Sequence, residues 1–135
     1  MVRSEILEQL GLHGILATPQ RIKIAEILLA RPQHLSADQI LDRLRQSGSS
    51  VSKATVYNTL NLFRENGLIR ELSVDPERRY YDSVTRAHHH FYNVDTGEFT
   101  DIDEDRVSIS ELPALPEGTE SHSVEVLIRI RSRRD

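Results

Sequence analysis

Between Ser52 and Gly67 the chain carries a full set of signals for one helix. The Ser52 hydroxyl can cap the open amides of a first turn, Val56, Leu60 and Phe63 recur at i, i+4 and i+7, and Gly67 stands where helices commonly stop. Two segments before it are built in the same way. Thr18-Pro19 supplies an N-cap and a proline at the first helical position, and the apolar residues from 22 to 29 carry that helix to about Ala30, where Arg31-Pro32 ends it. Ser36 and Gln39 have capping-box spacing ahead of the apolar stripe Ile40, Leu41 and Leu44, and residues 46–50 are a loop by composition. Residues 4–12, with Ile6, Leu7 and Leu10 at helical spacing, read as one more helix. The first half of the chain is therefore expected to be a bundle of short helices, of which the last two form a helix-turn-helix.

Two strand-like runs follow, residues 68–74 and 79–82, around the turn Asp75-Pro76-Glu77-Arg78. Helices followed by a hairpin make a winged helix-turn-helix. The polar face of the 53–66 helix carries Lys53, Thr55, Tyr57, Asn58 and Asn61, which can donate to phosphates and base edges, and Arg78 and Arg79 lie near the wing. Winged helices also serve as protein-interaction modules. Those groove-facing donors favour double-stranded DNA as the partner.

The second half has a different character. If residues 87–92 are extended, His88 and His90 point to one side and His89 to the other. Asp95-Thr96-Gly97 is a turn signal that lets residues 98–102 return antiparallel and brings Asp101 toward the histidines. Asp82, His88, His90 and Asp101 are nitrogen and oxygen donors suited to iron, manganese or zinc; the plainer reading is a solvated strand that happens to be rich in histidine. Residues 103–120, with Pro113 and Pro116, permit a short helix and a loop, and Val124, Val126, Ile128 and Ile130 alternate as in a strand with one buried face. A domain of under fifty residues buries too little alone, so a homodimer is expected.

The expected fold class is α+β: a winged-helix DNA-binding domain over residues 1–82, then a small α/β domain over 83–135 for dimerisation and metal binding. Charge divides at nearly the same place. Residues 1–86 hold 12 Lys and Arg against 10 Asp and Glu, a net +2, whereas 87–135 hold 5 against 11, a net −6. Only the first half suits phosphate. The absence of cysteine excludes disulfides, thiolate nucleophiles and Cys-ligated metals. With no apolar run long enough to span a membrane and acidic residues near the N-terminus, the expected compartment is the cytoplasm.

Taken together, Thr18-Pro19-Gln20-Arg21, His34-Leu35-Ser36-Ala37-Asp38, the run from Ser52 to Leu60, Glu65-Asn66-Gly67-Leu68-Ile69 and the histidine triplet resemble the ferric uptake regulator family of metal-sensing repressors. Within it the chain is most similar to the cysteine-free iron response regulator branch. The resemblance implies a dimer on an inverted-repeat operator and an inter-domain metal site, whose ligands carry over to His34, Asp82, His88, His90 and Asp101. It implies Arg21 as a phosphate contact. Leu16 stands where the family often has Lys or Arg for the minor groove.

The family's structural Cys-x-x-Cys is replaced by Asn93 and Thr96. A second metal site keeps His89 and His122, with Ala87 and Ser108 in place of two ligands. There is no Cys-Pro haem motif, so haem would have to be sensed through the histidines. The implied function is an iron- or haem-responsive repressor; Asp101 resembles instead the peroxide-sensing, iron- or manganese-dependent members. A plain metal or haem carrier is the alternative outside regulation. An enzyme is not expected, because five protein ligands leave little room for substrate.

Overall fold

The computed structural model describes residues 1–75, 77–86 and 88–134, apart from the side chains of Asp75 and Arg78. The turn centred on Pro76, the wing side chain of Arg78 and the expectation for Ala87 lie outside the described residues. The chain divides into two compact units, residues 1–85 and 86–135.

In the first unit, α1 (Arg3–Leu12), α2 (Pro19–Leu28), α3 (Ala37–Gln46) and α4 (Lys53–Glu65) close around Ile6, Leu10, Ile24, Leu28, Ile40, Leu44, Val56, Leu60 and Phe63, all buried. Leu7, expected on the inner face of α1, is exposed instead. The caps form as the sequence implies. Thr18 Oγ1 accepts the Arg21 amide, Ser52 Oγ the Thr55 amide, and Ser36 and Gln39 bond reciprocally. α4 ends in paired bonds from Gly67 N–H to the Arg64 carbonyl and from Leu68 N–H to the Phe63 carbonyl. This geometry needs the left-handed φ of +78° that Gly67 supplies.

The wing is β2 (Arg70–Asp75) against β3 (Arg78–Asp82), antiparallel. A third strand, β1 (His34–Ser36), pairs antiparallel with the other edge of β3, giving the order β1-β3-β2. The three residues of β1 are too few to show a period in the sequence. Its pairing sets His34 opposite Asp82.

In the second unit β4 (His89–Asn93) is central. β5 (Phe99–Ile102) pairs with it antiparallel and β6 (Leu127–Ile130) parallel. A short 3-10 turn, Glu104–Arg106, follows β5. Tyr92 and Ile102 are buried, but Val124, Ile128 and Ile130 are exposed. The expected buried face of the last strand is thus not covered within one chain, because β6 is an edge strand of a single sheet layer. Among the described residues no helix is long and apolar enough to cross a membrane.

Candidate metal centre and nucleic-acid face

The first unit holds two of the candidate ligands. His34 and Asp82 face each other across β1 and β3, with His34 Nε2 3.1 Å from Asp82 Oδ2. Asp82 Oδ1 accepts the Val84 amide at 2.8 Å. Asp82 is fully buried, and a buried carboxylate stays charged only when hydrogen-bonded and matched by positive charge. A cation held between Asp82 and His34 would match that charge.

The second unit holds three. The antiparallel register sets His90 opposite Asp101, and strand alternation turns His88 to the same side. The two rings have centroids 4.2 Å apart, and their Nε2 atoms lie 3.3 and 3.4 Å from the same oxygen, Asp101 Oδ1. Both histidines are buried. His88 Nδ1 is 2.7 Å from the Arg86 carbonyl. A carbonyl only accepts, so Nδ1 donates there, and Nε2 is the nitrogen that faces the carboxylate oxygen, with a lone pair whenever the ring is neutral. Two acceptors repel unless a proton or a metal ion lies between them. Ligand atoms that each stand about 2.1 Å from one ion are roughly 3.0–3.4 Å apart, which matches the observed spacing. The donor set therefore fits a borderline divalent cation, and the Arg86 carbonyl fixes the tautomer it needs.

His89 points the other way. Its Nδ1 accepts the Val126 amide at 2.8 Å, which places its own proton on Nε2, so neither nitrogen presents a lone pair to a metal in this arrangement. His122 and Ser108 are exposed. His89 is spent on holding the chain entering β6.

On α4, Lys53, Tyr57, Asn58 and Asn61 are exposed and Thr55 is half-buried. Lys53 Nζ is 3.2 Å from Asp38 Oδ1 and 5.8 Å from the centroid of the Tyr57 ring. A cleft of about 390 Å³ between α2 and α4 is lined by Gln20, Arg21, Thr55 and Asn58 among others. Arg21 is already engaged: its Nη1 donates to the Leu16 carbonyl at 2.8 Å, closing the loop ahead of α2. Gln20 and Asp38 stand in the sequence only as members of the motifs that carry the resemblance; the structure adds that Gln20 lines this cleft and that Asp38 pairs with Lys53.

The sequence model of the Ferric uptake regulator family matches residues 13–128. The peroxide operon regulator of Bacillus subtilis is 39% identical over 98 residues, 73% of this chain and 68% of that protein. The peroxide-responsive repressor PerR of Staphylococcus saprophyticus is 33% identical over 90 residues, 67% of this chain and 61% of that protein. The matched stretch thus spans about two thirds of those relatives' own length. Among solved structures, the ferric uptake regulator from Pseudomonas aeruginosa with manganese superposes with a TM-score of 0.71 at 25% identity, covering 99% of this chain and 100% of that one.

Proposed function

The chain belongs to the ferric uptake regulator family, and from that premise we propose that it is a metal-dependent repressor that binds an inverted-repeat operator as a homodimer. It is a regulator and not an enzyme, and membership sets aside the plain carrier. One divalent cation, iron, manganese or zinc, takes His34 and Asp82 from the winged-helix unit and His88, His90 and Asp101 from the other. The observation that carries this is the cluster on Asp101: Nε2 of His88, whose Nδ1 donates to the Arg86 carbonyl, and Nε2 of His90 lie 3.3 and 3.4 Å from one carboxylate oxygen, the spacing of ligands around a single cation. A site shared by two units favours one mutual arrangement of them, so binding shifts the population toward the form that fits DNA.

The test is titration of metal-free protein with Mn(II) by calorimetry. One ion per chain is expected, with His34→Ala and His88→Ala each removing the same site. Two ions per chain, one lost in each variant, would mean that the half-sets act separately.

The signal we propose is iron itself, as ion or as haem, supported by the histidine triplet. A second reading, peroxide sensing through bound iron, is favoured by Asp101 and by relatives named for peroxide response. Mass spectrometry after Fe(II) and peroxide separates the two. Added oxygen on His34 or His88 supports peroxide sensing, and unmodified histidines remove it.

A further inference from the structure

Lys53 occupies the first position of α4, where the helix dipole disfavours a cation and favours an anion. Its place there does nothing for the helix. The nearest compensating charge is Asp38 in the first turn of α3, 3.2 Å away. Both side chains are largely exposed, 59% and 69%, so the pair adds little to folding and either partner can exchange for another ion. The ammonium also lies 5.8 Å from the Tyr57 ring, one turn along the face that carries Asn58 and Asn61. Asp38 and Tyr57 line one cleft of about 390 Å³ together with Arg79 and Glu77 of the wing.

We propose that Asp38 is a positioning residue that holds the Lys53 ammonium against α4 and competes with DNA phosphate for it, limiting sequence-independent affinity. The inference rests on the reading of α4 as the DNA-recognition element. A phosphate approaching the start of α4 must displace the Asp38 carboxylate before it gains Lys53. The pair therefore presents less than one unit of positive charge to the duplex. This matters because residues 1–86 carry only a net +2, so one carboxylate is a large part of the balance. With the phosphate term held down, discrimination falls to the groups that can read base edges, Tyr57, Asn58 and Asn61.

The experiment is fluorescence anisotropy of the Mn(II)-loaded full chain with an AT-rich inverted-repeat duplex and a scrambled duplex across a series of salt concentrations. Asp38→Asn is expected to bind the scrambled duplex about two- to fivefold tighter at low salt, with the slope of log affinity against log salt steeper by up to about one. Asp38→Glu, which keeps the charge, restores the wild-type slope. Lys53→Ala, which removes the one cation that the carboxylate withholds, abolishes that gain, and Asp38→Asn in that background adds nothing. An unchanged slope in Asp38→Asn overturns the inference, as does a gain that persists without Lys53. Duplex binding absent in the wild type overturns the reading beneath it and the inference with it, whereas wild-type binding with no Asp38 effect overturns the inference alone.

Discussion

At the residue scale the decisive detail is which nitrogen of His88 carries its proton. The Arg86 carbonyl accepts the Nδ1–H and so leaves Nε2 as the nitrogen that faces Asp101 Oδ1. Asp101→Asn keeps the shape but removes the negative charge, and should weaken Mn(II) binding about 100-fold, measured by competition with a metal indicator. Unchanged affinity would remove Asp101 from the ligand set. The pairing of His88 and His90 with Asp101 was legible in the alternation of the triplet and the Asp95-Thr96-Gly97 turn. The tautomer was not, since it depends on a backbone carbonyl that only the folded loop delivers. His89 was read as half of a second site because a sequence cannot show that its ring accepts the Val126 amide.

Tyr81, beside Asp82 on β3, gives a second test at this scale. Burial, and then the negative charge of Glu71, raise its phenol pKa above the usual 10.0. Below pH 10.0 the phenol is protonated whether the chain is folded or not, and its contribution is fully present. As pH rises beyond that, the unfolded phenol ionises first, and the stabilisation is lost as pH passes through the folded value. The stability advantage of the wild type over Tyr81→Phe in urea should therefore shrink above pH 10.0 and stay constant below it.

At the scale of elements, helices were legible wherever a cap and a stop were written in side chains. Ser36 with Gln39, Ser52, Thr18-Pro19 and Gly67 all do what their chemistry implies. Ser36→Ala should lower unfolding free energy by about 1 kcal/mol, and Gly67→Ala by about 1–2 kcal/mol because alanine resists the φ of +78°. Both are read from urea denaturation, and a cost near zero for Gly67→Ala would contradict the terminating geometry of α4. Strands were less legible. β1 is three residues long and exists by pairing with β3, a contact 48 residues away between His34 and Asp82 that no local pattern announces. β6 was expected from alternation, yet its parallel pairing with β4 and its uncovered side chains depend on topology and on what lies beyond one chain.

At the scale of the whole molecule, the exposed Ile128 and Ile130 of β6, and Val124 ahead of it, are side chains that a second copy would cover. Sedimentation should give a mass twice that of the 15.5 kDa chain, and a concentration-independent monomer would contradict the dimer. The division of charge was visible in the sequence and matches the division of labour proposed for the two units. The central claim is that a metal ion couples them, and it is tested most directly by fluorescence anisotropy of an AT-rich inverted-repeat duplex at fixed salt. Metal-free and Mn(II)-loaded wild type are compared with His34→Ala and Asp82→Asn. Tight binding only in the Mn(II)-loaded wild type, with both variants resembling the metal-free protein, is the result the account predicts. Equal binding by all of them would contradict it and leave a winged helix beside a histidine site that does not control it.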